Sequence, residues 1–396
     1  MGLSTAQGRI RAVVAVGLGM LVVAGVCGCA PSVATPSQHP SPSASATPTP
    51  TVDPITAYAR QRLSSMTLRQ QVASLLMLHQ PGTDGVALRA FIDRYGLGGM
   101  ILMGDNIPPT PEALTAQTAS MAADAGLPPL IAVDEEGGDV TRLPWDGQPG
   151  ADTLKTMPST ATTAAFAARG ALLRQAGITL NFGTVADVTA DPNSFIADRV
   201  LGTTPADAAA RVAASVTGER GAVLSTLKHF PGHGETEADS HLTVPSTAAT
   251  MDRWRTQDAP QFSAGIAAGA EVVMFGHLTY SAVDAAPASL SGAWHRILSD
   301  ELGFSGITIT DDMRMLQDTG LAEYQNPGEN AVRAIAAGNT MLLFVLPADP
   351  GSIGCDPDTL IDAVVAAVGS GRIPASLIEA DALKLLELRR SLAPEE

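Results

Sequence analysis

Three histidines, a lysine and several carboxylates fall within fourteen residues, Lys228-His229-Phe230-Pro231-Gly232-His233-Gly234-Glu235-Thr236-Glu237-Ala238-Asp239-Ser240-His241. Two chemistries fit this segment. Asp239 and His241 are two residues apart, so in a loop the carboxylate can orient the imidazole and stabilise its protonated form. Such a pair delivers and recovers a proton near neutral pH. Alternatively His229, His233 and His241 ligate a metal. The His-x3-His spacing then needs a helix to bring two rings to one side, and Pro231 with its flanking glycines opposes that helix. A second reactive segment is Ile307-Thr308-Ile309-Thr310-Asp311-Asp312-Met313. There a β-branched strand ends in two carboxylates, placed either to cap a helix or to act as a nucleophile. The third is Val133-Asp134-Glu135-Glu136-Gly137-Gly138-Asp139-Val140-Thr141-Arg142. Its paired glycines permit a tight turn, and Asp134 and Arg142 are placed to hydrogen-bond a polyhydroxylated ligand.

Something must hold these residues together. From Pro54 onward, short apolar runs alternate with Ala-rich stretches of helical period. Eight strand candidates emerge: Ser74–Leu78, Gly99–Met103, Leu130–Val133, Thr179–Phe182, Leu224–Leu227, Val272–Phe275, Ile307–Thr310 and Thr340–Leu346. Most are uniformly apolar, the pattern of strands buried on both faces. Thr110-Pro111 and Thr204-Pro205 read as helix N-caps followed by Pro at N1. Gly126 and Gly221 sit where C-terminal caps are expected. Helical stretches include 207–219 and 328–337, and 377–392 is expected to close the structure. Eight β-α units predict an α/β protein with a single (β/α)8 TIM-type barrel; a doubly wound open sheet is the alternative. Asp134, Asp187, Lys228-His229, His277 and Asp311-Asp312 follow strands directly. In a barrel these ends converge on one mouth, where active sites are built.

The hydrophobic fraction of 45% in 396 residues excludes a mostly disordered chain. A net charge of −16 excludes a nucleic-acid binder, whose affinity needs Lys and Arg against phosphate. Residues 1–29 read as a lipoprotein-type signal peptide. Arg9 and Arg11 precede an apolar run, and Val26-Cys27-Gly28-Cys29 resembles a bacterial lipobox with Cys29 as the lipidated residue. The run is short for a membrane-spanning helix. Residues 30–53 read as a linker. Fifteen of the 23 residues from Pro31 to Asp53 are Pro, Ser or Thr, and at about 3.1 Å per residue such a tether reaches roughly 70 Å. The catalytic or binding domain is then 54–396. Cys355 has no ligand-type neighbours and reads as inert. Trp145, Trp254 and Trp294 could stack on sugars, but scattered tryptophans more often serve as half-buried structural residues.

Taken in order, the motifs resemble family 3 glycoside hydrolases, specifically the single-domain bacterial β-N-acetylglucosaminidase branch. The resemblance rests on Lys228-His229-Phe230-Pro231-Gly232-His233-Gly234 with Asp239-Ser240-His241, and on Thr310-Asp311-Asp312-Met313-x-Met315. It also rests on Asp134-x-Glu136-Gly137-Gly138-x-Val140-x-Arg142, and on Asp198-Arg199 before Gly202. The matching segments run from about 65 to 380.

The resemblance implies a (β/α)8 barrel and retaining exo-hydrolysis of terminal β-linked N-acetylglucosamine from cell-wall fragments, a muropeptide or disaccharide. It assigns Asp311 as nucleophile, His241 supported by Asp239 as acid-base, and Asp134, Arg142, Arg199, Lys228 and His229 as sugar-binding residues. No cofactor and no metal are implied. A monomer is expected, held to the membrane by its N-terminal lipid anchor and facing the cell wall. A phosphorylase or β-glucosidase of the same family, a metal-dependent hydrolase and a non-catalytic sugar-binding lipoprotein are the alternatives. The sequence departs from the branch's common pattern at Val200-Leu201, at Glu135 in place of Gln, and at Met103-Gly104-Asp105-Asn106, all of which bear on subsite shape.

Overall fold

The computed structural model describes residues 53–393 except Ala123, Glu237 and His241. The expected signal peptide, the linker up to Val52, Cys29 and the acid-base candidate His241 therefore lie outside the described residues. The first helix, Pro54–Ser64, starts with Asp53 accepting from the Thr56 amide at 3.0 Å and Pro54 at its first position. Thr67 and Gln70 form a reciprocal capping box that opens the helix Leu68–Ser74.

Ten strands follow among the described residues: β1 (Leu76–Leu78), β2 (Gly99–Leu102), β3 (Leu130–Val133), β4 (Leu180–Val185), β5 (Leu224–Phe230), β6 (Ser246–Thr247), β7 (Val272–Phe275), β8 (Thr279–Tyr280), β9 (Ile307–Thr310) and β10 (Leu342–Phe344). Eight of them form one parallel sheet ordered β10-β1-β2-β3-β4-β5-β7-β9. Its two ends meet at a parallel bridge between Ile309 and Met341, where the Met341 amide donates to the Thr308 carbonyl at 2.9 Å. The sheet is thus a closed barrel, not the open doubly wound alternative. The remaining pair, β6 and β8, is a two-residue parallel clip between the loops after β5 and β7.

Every residue of the eight barrel strands is buried. Helices cover the outer face, so the strands can be apolar on both sides. Helices such as Gly85–Tyr95, Pro111–Met121, Ser159–Gln175, Pro205–Glu219 and Pro327–Ala337 form that cover. Thr110 and Thr204 cap theirs as expected, accepting from the Ala113 and Asp207 amides. The last helix, Ala375–Ser391, closes the end of the barrel opposite the mouth. There Lys384 donates to the Gly306 carbonyl and Arg389 to those of Leu127 and Pro128, all just ahead of strands.

Three expectations need correction. Ser74 ends a helix instead of opening β1, because Leu68–Ser74 runs directly into the strand. Gly126 does not cap its helix, which stops at Met121 with Ala122 in the capping position; Gly221 does follow its helix in the left-handed conformation (φ 75°). Lys228 and His229 belong to β5 and do not follow it. The ladder continues past Leu227 through a register irregularity, with the Lys228 carbonyl bonding the Ala186 amide and the Phe230 carbonyl bonding the Gly276 amide. The peptide bonds Lys228–His229 and Phe230–Pro231 are cis.

Candidate active site

The C-terminal ends of the barrel strands surround a cavity of about 240 Å³. Asp134, Arg142, Arg199, Lys228, His229 and Asp311 all line it, contributed by the ends of β3, β4, β5 and β9 or the loops that follow them. Closure of the barrel brings together residues that stand 177 positions apart in the chain, Asp134 to Asp311. Apolar neighbours, among them Met103, Phe195, Met315 and Val345, form the remaining wall.

Lys228 is 2% exposed and anchors the polar side of the mouth. Its Nζ donates to Asp134 Oδ1 at 2.8 Å and stands 2.6 Å from Glu136 Oε1. Arg199 grips Glu136 in a fork, Nε to Oε2 at 3.0 Å and Nη2 to Oε1 at 2.7 Å. Burial alone would raise the Glu136 carboxyl; Lys228 and Arg199 outweigh it and hold the group at about 2. Burial likewise opposes charge on Lys228, but Asp134 and Glu136 more than restore it, so its pKa is raised. Arg142 Nη2 approaches Asp134 Oδ2 at 3.8 Å. Two carboxylates and three cations thus interlock without a ligand, and Asp134 keeps acceptor capacity facing the cavity.

Asp187, two residues past β4, organises the histidine segment. Its Oδ2 accepts from His229 Nδ1 at 2.7 Å and from the His229 amide at 3.2 Å, while Oδ1 accepts from the His233 amide at 2.5 Å. Burial would raise Asp187, but the facing His229 and His233 lower it. The Thr236 hydroxyl donates to the His233 carbonyl, so His233 Nδ1 is the donor in its 3.1 Å bond to Thr236 Oγ1. Burial pushes His233 down to about 4, leaving it neutral. Behind the segment, Trp254 Nε1 donates to the Pro231 carbonyl at 2.8 Å and the Tyr280 hydroxyl to the Gly232 carbonyl at 2.7 Å. Trp254 and Trp294 are fully buried with Phe230, Phe262 and Phe275 in an aromatic core. Trp145 packs on the main core. None of the three tryptophans lines the mouth, in keeping with the structural role, and Trp254 holds the loop's backbone from behind.

Asp311 closes the far side. Its amide extends the ladder to the Phe275 carbonyl, and its Oδ1 accepts from the Asp312 amide at 2.8 Å. Burial would raise this carboxyl, but facing His229 and His277, the Asp312 amide and Lys228 bring it to about 2. Asp312 differs. Its Oδ1 accepts from the Arg314 and Val345 amides, yet burial lifts the group to about 7. One aspartate is therefore a free anion at the mouth, and the other pins the start of the helix Arg314–Asp318 to the loop after β10. His277, beside Asp311, is tied to the Asp312 carbonyl at 2.9 Å and to Ser289 Oγ at 2.7 Å; its burial lowers its pKa.

Ser240 also lines the cavity. The Asp239 carbonyl accepts from the Leu242 and Thr243 amides. Cys355 is buried with its Sγ on Gln317 Oε1 at 2.9 Å, and burial pushes the thiol up to about 12. Among the described residues, no group of three or more His, Cys, Asp or Glu is arranged to hold a metal ion, and no helix is long and apolar enough to cross a membrane. The sequence reading gave Asp187 and Glu136 no roles of their own. A polar residue just past a barrel strand was the available signal for Asp187, and adjacency to Asp134 the signal for Glu136.

A closed parallel barrel whose strand ends present an ionised carboxylate opposite a carboxylate–cation network defines an enzyme-type (β/α)8 barrel. A profile described as the Glycosyl hydrolase family 3 N terminal domain matches residues 67–388. The chain is 34% identical over 269 residues to a Beta-hexosaminidase of Methylococcus capsulatus, covering 64% of this chain and 77% of that one. Among solved structures it resembles a glycoside hydrolase family 3 beta-N-acetylglucosaminidase from Paenibacillus sp., with a TM-score of 0.76 and 30% identity. That match covers 84% of this chain but only 64% of the Paenibacillus chain. It also resembles a Beta-N-acetylhexosaminidase from Beutenbergia cavernae, with a TM-score of 0.72 and 28% identity over 83% of this chain and 99% of that one. The chain belongs to glycosyl hydrolase family 3.

Proposed function

We propose that this glycoside hydrolase, of the β-N-acetylhexosaminidase type, removes terminal β-linked N-acetylglucosamine from peptidoglycan fragments with retention of configuration. The observation that carries the reading is Asp311: a carboxylate held at about 2, ionised throughout the working range, lining the cavity opposite Asp134 and Lys228. Its role is to attack the anomeric carbon and form a glycosyl-enzyme. His241, oriented by Asp239, protonates the departing glycosidic oxygen. The resulting neutral imidazole then takes a proton from water as that water attacks the anomeric carbon, which frees Asp311 and returns His241 to its starting state. Asp134, Arg142, Arg199, Lys228 and His229 hold the sugar hydroxyls. A pre-paired network suits this task, because each hydroxyl that enters can exchange for a bond between charged partners and none is left unpaired. Support for the N-acetylglucosamine specificity comes from the likeness to beta-hexosaminidases and a beta-N-acetylglucosaminidase, whereas peptidoglycan as its source rests on the family resemblance of the motifs. Support for an exported location, lipid-anchored at the cell membrane and facing the cell wall, comes from the basic-apolar N-terminus, Cys29 and the Pro/Ser/Thr-rich tether.

The test compares nitrophenol release from the β-N-acetylglucosaminide and the β-glucoside, with and without phosphate and chelator. Chelator-resistant cleavage of the acetamido substrate, with a water-derived β-configured first product, supports the proposal. Phosphate-dependent formation of a sugar phosphate overturns it in favour of phosphorolysis. Preference for the glucoside makes the protein a β-glucosidase, and cleavage of neither makes it a sugar-binding lipoprotein.

A further inference from the structure

Glu135 sits between Asp134 and Glu136 but does not reach the cavity that Asp134 lines. It is fully buried and does not line the mouth. Its Oε2 accepts from the Arg142 amide at 2.8 Å and the Leu143 amide at 2.9 Å. One carboxyl oxygen therefore ties the end of β3 to the far side of the loop that carries Arg142. The loop between them reverses through Gly137 and Gly138, both with positive φ, and is closed by the Glu136 and Gly137 amides on the Val140 carbonyl. A Cβ on Gly137 would run into the Arg169 guanidinium, so the loop lies directly on that buried side chain. Asn181 fixes Glu135 from the other side, accepting from its amide at 3.0 Å and donating to its carbonyl at 3.0 Å. The charged groups facing this cluster are Asp146 and Arg169, joined at 2.7 Å, and Glu219, which accepts from Asn181 at 2.6 Å. The arrangement leaves Glu135 rigid and makes the Arg142 backbone dependent on it. Among the described residues, the Arg142 guanidinium has in contrast only a 3.8 Å approach to Asp134 to hold it.

We propose that Glu135 is a positioning residue for the sugar site: by strapping the Arg142 and Leu143 amides it sets where Arg142 stands beside Asp134. It thereby sets affinity for the sugar and not the rate of bond cleavage. The proposal rests on the reading of Arg142 as a sugar-binding residue. The strap uses a single acceptor oxygen for both amides, and a glutamine of the same length supplies one.

The experiment measures kcat and KM of the full chain on the nitrophenyl β-N-acetylglucosaminide for Glu135→Ala, Glu135→Gln, Arg142→Ala and Glu135→Ala/Arg142→Ala. The expected result is a KM at least tenfold higher in Glu135→Ala with kcat within twofold, and both constants within twofold of wild type in Glu135→Gln. The double variant should be no worse than Arg142→Ala alone, since the strap acts through that residue. Should Glu135→Ala fail to fold, Glu135→Asp carries the same test, because its carboxyl is drawn back by one methylene from the two amides. An unchanged KM in Glu135→Ala or Glu135→Asp, or losses that multiply in the double variant, overturns the proposal while leaving the sugar site intact. An unchanged KM in Arg142→Ala overturns the underlying reading of Arg142, and the strap's role with it.

Discussion

Glu136→Gln isolates the charge network at the mouth. The substitution keeps size but removes the anion that pairs with Lys228 at 2.6 Å, and it turns one of the two acceptor oxygens gripped by Arg199 into a donor. Glu136 is held at about 2 against an ordinary 4.5. A displacement of that size corresponds to about 3 kcal/mol at neutral pH, at about 1.4 kcal/mol per unit. Because the folded-state value is depressed, this stabilisation is fully present above about 4.5 and is lost as pH falls toward 2. It amounts to roughly half its neutral value near pH 3. Over a domain of this size, with about 2.1 cal/mol/K of unfolding entropy per residue, 3 kcal/mol lowers the melting temperature by about 4 °C. The assay is urea unfolding of wild type and variant at pH 7, 5, 4 and 3. The difference should be largest at pH 7 and shrink toward pH 3. Equal stability at pH 7, or a gap that does not change with pH, refutes the view that Lys228 and Arg199 hold Glu136 as an anion.

Three further outcomes are expected. Asp311→Asn should retain the fold and the sugar affinity but lose at least about a thousandfold in kcat, since the neutral amide cannot attack; near-normal turnover removes Asp311 from the nucleophile role. His241→Ala should slow cleavage of the natural disaccharide far more than that of an activated nitrophenyl glycoside, whose leaving group needs no proton. Equal loss on both counts against His241 as the acid. Gly234→Ala should cut kcat/KM by at least about tenfold, because a Cβ there overlaps the Val188 carbonyl and displaces the loop leading to Asp239; circular dichroism would show whether the barrel survives.

Much of the fold was legible because barrel strands and their caps are local. Leu130–Val133, Val272–Phe275 and Ile307–Thr310 are read to the residue from apolar runs ending in polar groups, and Thr110-Pro111 and Thr204-Pro205 announce their helices by side-chain chemistry alone. The extent of β5 was not legible. Lys228 and His229 look like the start of a loop, and only pairing with the β4 and β7 segments keeps them in the ladder. The aromatic residues behind the mouth were illegible for a similar reason: a tryptophan's type does not reveal whether its neighbours are solvent, sugar or other rings.

Residue type and order determined the strand–helix alternation and the family likeness, and with that likeness the set of groups that gather: Asp134, Arg142, Arg199, Lys228, His229 and Asp311 all reach one cavity. Tertiary structure decided their partners and their charge. Lys228 meets Asp134 across 94 positions, Arg199 meets Glu136 across 63, and Asp187 reaches His229 across 42. Adjacent Asp311 and Asp312, identical in type and both buried, separate to about 2 and about 7 because two histidines and Lys228 outweigh burial at the first, while the two amides that bond the second do not. Spacing along the chain cannot encode such differences. They arise when the barrel closes and fixes which strand ends face one another, and at how much cost in lost water.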